Sequence, residues 1–442
     1  MNDVARPTYF IKVFGCQMNK FDASEFERFF TERGLVPAPA PEQADVVHVL
    51  TCCVRQKAED KFFSLLGALR KHKLSGGVKV IGVSGCIPEL RDVGGDHAFV
   101  DYVIGSGAPE KYYDQIEAAL IKNLDMKTGA EPVALHMPQS GISEFVTVMR
   151  GCTNYCTYCV VPAVRGPEQS RSVTAIRADA RRRLQAGAKE IILLGQNALA
   201  YGMDLTRPAT LLDALSAVHD LPGLRRVRFV TSHPAWVTEE FLHGLKFLPL
   251  VCAYFHIPFQ AGDNETLKRM NRKYTVEEYI EKIAMIRRLF PEAGISADVI
   301  VGFPGETDAQ FQGTVRLMKR VVVNQAYMFK YSPRPGTPAE RWGDDVPQKT
   351  KEERLAVLID TQREISLRLN RAQIESTMEV MVDTADHMEP GRYKGRTRCN
   401  RVADFTSTKK HNPGDIVSVL IDKATPHALI GRLSTRHKRS LL

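Results

Sequence analysis

The sequence predicts an α/β protein in three parts: an N-terminal doubly wound parallel sheet, a central partial (β/α)6 barrel and a small C-terminal antiparallel β-barrel. Three observations carry this. Over residues 9–123, apolar strand-like runs alternate with helical periodicity. Over residues 144–333, six strand candidates alternate with five helical stretches. From Thr377 onward the chain holds only short β-type segments. A length of 442 residues agrees with two or three domains.

In the first part, strands are expected over 9–14, 44–50, 78–84 and 101–104. Helices are expected from Asp22, as a helix N-cap, through about 33, over 55–73, and from Pro109. Cys16 then follows the first strand, Cys52 and Cys53 the second, and Cys86 the third. Open α/β sheets build sites beyond the carboxyl ends of their strands. Cysteines far apart in sequence therefore meet on one sheet edge, and Cys16, Cys52 and Cys86 read as ligands of an iron–sulfur cluster with one open iron. The plain alternative is buried structural thiols, since cysteine is among the most buried residues. Cys53 is the spare, a small hydrophobe or a minor competitor of Cys52.

Residues 128–141 read as a linker. The central strands are expected over 145–149, 190–195, 226–232, 253–259, 295–301 and 325–332, with helices over 173–186, 209–220, 237–245, 265–290 and 308–321. Directly after the first of these strands comes Gly151-Cys152-Thr153-Asn154-Tyr155-Cys156-Thr157-Tyr158-Cys159, a C-x3-C-x2-C loop. Three thiolates on so short a loop suit three irons of a 4Fe–4S cluster and leave the fourth open to a small molecule. A structural zinc site would want four ligands, usually in paired C-x2-C units, and no second pair is present. The loops after the later strands carry Gly195-Gln196-Asn197, Thr231-Ser232-His233-Pro234, His256 to Gln260, and Gly302-Phe303-Pro304-Gly305-Glu306. Such loops offer the polar and backbone groups that a nucleoside-like cofactor needs.

A charged helix is expected over 348–376, docked through Leu355, Leu358, Ile359, Ile365 and Leu369. The last strands are expected over 378–382, 401–405, 416–421 and 429–433. Residues 376–442 hold twelve Lys and Arg against seven Asp and Glu, and so contribute +5 of the formal net charge of +9. Arg392, Lys394, Arg396, Arg398 and Arg401 cluster there, with Tyr393 and Phe405 as candidate faces for stacking a base. A basic balance favours nucleic acid as partner. The N-terminus has no apolar signal-peptide core, and no uncharged run approaches the roughly 18 residues of a membrane span. Nine cysteines without a secretion signal point to metal chemistry, a cytoplasmic location and no membrane.

These motifs together resemble the radical S-adenosylmethionine (SAM) methylthiotransferases of the tRNA-modifying MiaB type, over nearly the full length. Gly15-Cys16-Gln17-Met18-Asn19 is similar to the family's GCQMN, and Thr51-Cys52 with Val54-Arg55 to its NTCxxR. Gly85-Cys86 resembles its GC, and Cys156-Thr157-Tyr158-Cys159-Val160-Val161-Pro162 with Arg165-Gly166 resembles CTYCVVPxxRG. Leu50, Cys53, Ala163 and Ala261 stand where the family usually has Asn, Ser, an aromatic residue and Ser.

The resemblance implies three domains: a methylthiotransferase domain with an auxiliary cluster (7–125), a radical SAM core (142–372) and a TRAM RNA-binding barrel (376–438). It implies two 4Fe–4S clusters, the SAM-binding one on Cys152, Cys156 and Cys159 and the auxiliary one on Cys16, Cys52 and Cys86. Expected SAM contacts are Tyr158, Gly195, Gln196, Asn197, Ser232, His256, Gln260, Asp298 and Gly302. The implied reaction delivers a methylthio group to carbon 2 of an isopentenylated adenosine beside the anticodon. Expected partners are the tRNA anticodon stem-loop, an electron donor protein and a sulfur source, with the enzyme a monomer. The rivals are an enzyme acting on threonylcarbamoyladenosine and a non-catalytic iron–sulfur RNA-binding regulator.

Overall fold

The computed structural model describes residues 6–53, 56–124, 126, 141–385 and 389–434. Val54, Arg55, residue 125 and all but the last residue of the expected 128–141 linker lie outside them. The chain forms two compact units. One comprises Met1–Gln139, Arg150–Gln169 and Arg334–Thr337, the other Ser140–Met149, Ser170–Pro333 and Pro338–Leu442.

The first unit is built on β1 (Thr8–Val13), α1 (Gln17–Glu32), β2 (Val36–Pro37), β3 (Val46–Thr51), α2 (Gln56–Leu74), β4 (Val80–Gly85), α3 (Val93–Asp96), β5 (Tyr102–Val103) and α4 (Tyr113–Leu124). Its strands form one parallel sheet in the order β2-β1-β3-β4-β5. Both central strands, β3 and β4, are buried throughout, because side chains alternate between two covered faces. Val47, Val49, Ile81 and Val83 pack with Phe62 and Leu66 of α2. Val46, Leu50 and Val80 pack with Phe26, Phe29 and Phe30 of α1 and Ile116 and Leu120 of α4.

His48 is the polar exception, fully buried in β3. Its ring nitrogens meet the Tyr102 hydroxyl at 2.7 Å and the Ser84 hydroxyl at 2.9 Å, and burial lowers its pKa to about 3, so it stays neutral. The Tyr102 ring lies across Gly82, where a Cβ would overlap it.

Asp22 does not cap α1. The helix begins six residues earlier, at Gln17, with Cys16 at its N-cap. Asp22 lies inside the helix and pairs with Arg150, and both are buried. A buried guanidinium needs a charged partner, and that demand outweighs the local capping preference.

Next come β6 (Ser143–Thr147), β7 (Met149–Arg150), the cysteine loop, α5 (Val161–Arg165) and β8 (Gln169–Ser170). The second unit continues with α6 (Val173–Gln185), β9 (Glu190–Leu194), α7 (Leu211–His219), β10 (Arg226–Val230), α8 (Glu239–Leu245), β11 (Tyr254–His256), α9 (Asn264–Arg269), α10 (Val276–Leu289), β12 (Gly294–Val301), α11 (Asp308–Val321) and β13 (Gln325–Lys330). The six expected core strands are present and parallel, but in two ladders, β6-β9-β10 and β11-β12-β13. The ladders are joined by an isolated parallel bridge of Val227 with Val251, made by Val227 N–H to Leu250 O at 2.9 Å and Cys252 N–H to Val227 O at 2.8 Å, and by a bond from Ser232 N–H to His256 O at 3.2 Å. Pro249 and Pro258 flank β11 and lack the N–H groups that a continuous ladder would need.

The single helix expected over 265–290 is two. Asn271 adopts a left-handed φ of 55° after α9, and Thr275 opens α10 with a capping box to Glu278. That Thr-x-x-Glu signal outranks the surrounding helical periodicity.

Helix α12 (Gln348–Arg371) docks through Leu358 and Ile365 as expected, but Ile359 is 47% exposed. Its buried face is otherwise polar. Arg354 donates to Glu306 Oε2 at 2.9 Å and to Asp308 Oδ1 at 2.6 Å. The chain then forms a closed barrel from β14 (Thr377–Ala385), β15 (Arg392–Thr397), β16 (Val402–Thr406), β17 (Ile416–Ala424) and β18 (Ala428–Leu433), in the order β14-β15-β16-β18-β17. The β16–β18 pairing is parallel and the other four are antiparallel.

Strand β15 was hidden in the basic run. Its period-2 alternation turns Lys394 and Arg396 outward and Tyr393, Gly395 and Thr397 inward. Tyr393 and Phe405 are therefore not base-stacking platforms. They are 6% and 1% exposed and stack on each other in the barrel core, centroids 5.5 Å apart.

Two arginines of β10 hold the barrel. Arg226 donates to Arg396 O at 2.7 Å and pairs with Glu379 at 2.8 Å. Arg228 pairs with Glu190 at 2.8 Å and donates to the Thr397 and Arg398 carbonyls at 2.9 Å each. Arg398 returns bonds to the Pro249 and Val251 carbonyls at 2.6 and 2.9 Å. Arg228→Met should cost about 3–5 kcal/mol, because it takes the cationic partner from the buried Glu190 carboxylate and a donor from the Thr397 and Arg398 carbonyls. Urea unfolding of the full chain measures this, and a loss under about 1 kcal/mol would show that the barrel is held by other contacts.

Candidate functional site

At the carboxyl ends of the first sheet the strand register decides which cysteines meet. Thr51 pairs with Gly85 and Val13 with Leu50, so Cys52 and Cys86 leave neighbouring strands at the same level. The chain at Gly15 lies against Cys52: with φ 117° it turns where a Cβ would come within 2.6 Å of Cys52 Cβ and 3.0 Å of its Sγ. Gly85, φ 101°, makes the same close approach to Thr51 O. Without these two glycines the cysteine-bearing turns could not close on each other.

Asn19, 1% exposed on α1, donates to Phe14 O at 2.7 Å and Thr51 O at 2.8 Å, which ties the ends of β1 and β3 together. Its Oδ1 accepts from Arg165 Nη2 at 3.2 Å, and the same nitrogen lies 3.8 Å from Cys86 Sγ.

Cys52 and Cys86 are buried and Cys16 is exposed. Cys53 is buried among Val83, Ile87 and Val160, yet its thiol also hydrogen-bonds Cys86. That bond lowers the Cys86 thiol to about 6; burial opposes the shift, and the Arg165 guanidinium reinforces it. The same bond, with burial, pushes Cys53 up. Burial also works against the charge of Arg165, but Cys86, Asp22 and Cys16 more than offset it. Neither the Cys53–Cys86 contact nor the place of Arg165 is legible in spacing alone, since both arise from strand register and from the return of α5.

The second cysteine set sits on a loop with fastened ends. Cys152 N–H donates to Gly166 O at 3.0 Å, and Gly151, φ 80°, packs so tightly on Pro167 O that a Cβ would overlap it. Glu168 accepts from Thr153 N–H at 2.8 Å and from its hydroxyl at 2.9 Å. Asn154 Nδ2 donates to Cys152 Sγ at 3.2 Å, a bond of the kind that stabilises a thiolate, whereas burial pushes the free Cys152 thiol up. Cys156 is buried, Cys152 and Cys159 are part-exposed, and Tyr158 between them is half-buried.

All nine cysteines are free thiols. Among the described residues no three His, Cys, Asp or Glu side chains converge on a single-ion position. In a cubane each thiolate holds its own iron, so ligands to it stand farther apart than ligands to one ion. The donor chemistry of both sets, three thiols on glycine-tightened turns, fits such a cluster.

In the second unit the loops after β9 and β10 leave polar atoms without partners. Leu194 pairs with Val230, so Gln196 and Ser232 stand level at adjacent strand ends. Gln196 Oε1 and Ser232 Oγ are both buried with no hydrogen bond among the described residues, a condition that a polar ligand would relieve. Asn197 is used internally and accepts from His233 N–H at 3.1 Å. Burial, with Arg272 and Lys273 nearby, lowers His233 to about 3. Thr231 is held at φ 70°, strained for a β-branched residue.

Across the next ends, His256 meets Ser296 Oγ at 2.8 Å through Nδ1 and Asp298 Oδ2 at 3.3 Å through Nε2. Gln260, φ 63°, donates its N–H to Asp298 O at 2.9 Å. Gly302 N–H donates to Glu306 Oε2 at 2.6 Å, and Glu306 is fixed in turn by Arg354. Gly195 packs on the Met149 side chain. The structure thus brings His256, Gln260 and Asp298 together, sets Gln196 beside Ser232, and gives Asn197 and Gly302 structural bonds.

Residues 146–318 match the Radical SAM superfamily, and residues 8–105 match the Uncharacterized protein family UPF0004. The chain is 38% identical over 435 residues to a tRNA-2-methylthio-N(6)-dimethylallyladenosine synthase of Desulforamulus reducens, covering 96% of this chain and 95% of that one. It is 36% identical over 433 residues to the protein of that name from Clostridium botulinum, covering 96% of each. It is 38% identical over 438 residues to that of Pelotomaculum thermopropionicum, covering 96% and 97%. Among solved structures it shares a fold with the radical S-adenosylmethionine methyltransferase TsrM from Kitasatospora setae (TM-score 0.54, 13% identity, 76% of this chain and 74% of that one). It also shares a fold with the cobalamin-dependent S-adenosylmethionine radical enzyme OxsB (TM-score 0.53, 14% identity, 88% and 64%). The chain belongs to the tRNA-2-methylthio-N(6)-dimethylallyladenosine synthase (MiaB) family of radical SAM enzymes.

Proposed function

We propose that this enzyme places a methylthio group on carbon 2 of an N6-dimethylallylated (isopentenylated) adenosine beside the anticodon of tRNA, using two molecules of SAM and two 4Fe–4S clusters. The observation that carries the reading is the pair of separate cysteine sets, one at the ends of β1, β3 and β4 and one on the 152–159 loop. A reaction that needs both a radical source and a sulfur carrier has a use for two. When bound, SAM and the clusters supply reductive cleavage of the cofactor and delivery of sulfur.

The chain's own residues bind and orient. Cys152, Cys156 and Cys159 hold the SAM-binding cluster, with Asn154 and Glu168 setting the loop. Cys16, Cys52 and Cys86 hold the auxiliary cluster, with Asn19 fixing two of the three strand ends. Gln196 and Ser232 are assigned to SAM because their buried polar atoms are unsatisfied. His256, Gln260 and Asp298 are assigned as a preformed hydrogen-bonding group, and Gly195, Gly302 and Tyr158 as close-approach positions. Asn197 supports the Thr231–Pro234 turn.

For tRNA, the outward face of β15 offers Lys394 and Arg396, which are exposed and only loosely paired with Asp404 and Asp383 at 3.8 and 3.7 Å. The division into domains at 7–125, 142–372 and 376–438 belongs to this reading; residues 54, 55, 125, 386–388 and 435–438 lie outside the described ones. A monomeric state, a protein electron donor, a separate sulfur source and a cytoplasmic location, where tRNA would be met, belong to the same reading. No helix among the described residues is long and apolar enough to cross a membrane. The names of the relatives favour the dimethylallyl substrate over threonylcarbamoyladenosine and over a non-catalytic regulator.

The direct test is anaerobic turnover of reconstituted protein with SAM, dithionite and isopentenylated tRNA, followed by mass spectrometry of nucleosides. Absence of the methylthio nucleoside under conditions that form deoxyadenosine would sink the substrate assignment. Iron should reach about eight per chain, and about half of that in a Cys152/Cys156/Cys159→Ala variant. Cys16→Ala, Cys52→Ala and Cys86→Ala should each abolish the methylthio product and leave deoxyadenosine formation measurable. Cys53→Ala should keep both; loss of product there with retention in Cys52→Ala would reverse the ligand assignment.

Lys394→Gln with Arg396→Gln should weaken tRNA binding and lower the slope of log affinity against log salt by roughly 1.5. An unchanged slope removes the barrel face from the RNA interface.

A further inference from the structure

Arg165 stands in the sequence as part of the cysteine-loop motif, yet its side chain serves the other cysteine set. It closes α5, six residues after Cys159. Its Nη2 reaches Asn19 Oδ1 at 3.2 Å and Cys86 Sγ at 3.8 Å. Its Nη1 is buried with no hydrogen-bond partner among the described residues. The charged groups around the guanidinium are Cys86, Asp22 and Cys16. Asp22 does not complete the fork, because its carboxylate is bound to Arg150. A permanently charged guanidinium with one buried, unused donor beside thiols is costly to keep unless an anion takes it.

We propose that Arg165 is the anion-binding and positioning residue of the auxiliary site: Nη2 braces Cys86 while Nη1 holds the anionic sulfur ligand, a hydrosulfide or alkanethiolate, at the open iron. The proposal rests on the two-cluster reading above. The ligand class follows from the donors. The free group is a planar N–H fork, which favours an anion, and the site around it is a set of thiolates suited to iron, whose open position takes a soft sulfur anion. Lys could supply charge and donors from one nitrogen at this place, but not the planar fork whose two separate nitrogens reach Cys86 and a second anion at once. The hydrogen bond to Cys86 and the positive charge also favour the reduced, more negative cluster and hence a higher reduction potential.

The test uses the full chain carrying Cys152/Cys156/Cys159→Ala, reconstituted anaerobically so that the auxiliary cluster is the one present. Iron content is measured first. The dithionite-reduced cluster is then titrated with sodium hydrosulfide and, separately, with methanethiolate, read by electron paramagnetic resonance, and its potential is measured by redox titration. In the Arg165→Gln variant of this protein the hydrosulfide midpoint should rise at least about tenfold, the size expected for losing one charge-assisted hydrogen bond, and the potential should move to more negative values. Arg165→Lys should fall between.

An Arg165→Gln protein with the same iron content, midpoint and potential as its parent overturns the proposal. If Arg165→Gln loses its iron, Arg165→Lys decides by the same comparison. Loss of iron from both, with circular dichroism unchanged, makes Arg165 a residue of cluster retention and overturns anion binding. A parent without iron overturns the two-cluster reading itself, and is thereby told apart from a failure of Arg165.

Discussion

Asn19 makes three bonds with one amide, and the cysteine-bearing end of the first sheet hangs on them. Its two N–H groups close the carbonyls of Phe14 and Thr51, and its oxygen takes Arg165. Each of those carbonyls stands just before a cysteine turn: Phe14 O lies one residue past β1, and Thr51 O, at the last rung of the β3–β4 ladder, also takes the Cys86 N–H at 3.4 Å. One side chain therefore sets the spacing between the β1 and β3 turns and, through Arg165, orients the helix that follows the other cysteine loop. Gly15 and Gly85 make this possible by letting the backbone approach within side-chain distance. A group of side chains assembled from three distant strand ends needs this kind of bracing, because no single loop defines it.

The succession of the main α/β strands, the position of Cys16, Cys52, Cys86 and the 152–159 loop after strands, and the polar turns beyond β9 to β12 were legible because each depends on local pattern: apolar alternation, Gly and Pro punctuation, and motif spacing. What escaped the sequence depends on tertiary demand. Asp22 looks like a helix cap until Arg150 arrives to be neutralised. Arg392–Thr397 looks like a basic surface run until its odd residues turn into a barrel core. Tyr393 and Phe405 look like platforms for bases until they are seen filling that core. Cys53 looks spare until β4 brings Cys86 beside it. In each case the residue type was read correctly and its direction was not, since direction is fixed by neighbours that the linear chain does not name.

The same division holds for charge. The C-terminal basic run suggested one electrostatic face, but its members do different work. Arg398 is spent on the Pro249 and Val251 carbonyls, Arg401 on Asn370 and Cys399, and Arg392 on Glu389, which leaves the exposed, loosely paired Lys394 and Arg396 to face solvent phosphate. Counting charges overstates what such a segment can offer a nucleic acid; hydrogen-bond geometry corrects the count.

Arg226 and Arg228 also carry a consequence for how the protein is made. Their partners in the barrel lie 153 to 170 residues further along the chain. At about 5–20 residues per second, a ribosome takes roughly 8–34 seconds to deliver them. During that interval the β10 edge must expose two guanidiniums and the Glu190 carboxylate to water, at a place that is dry in the finished molecule. The central sheet cannot reach its final form as it emerges, and the last strands to be synthesised are the ones that seal it.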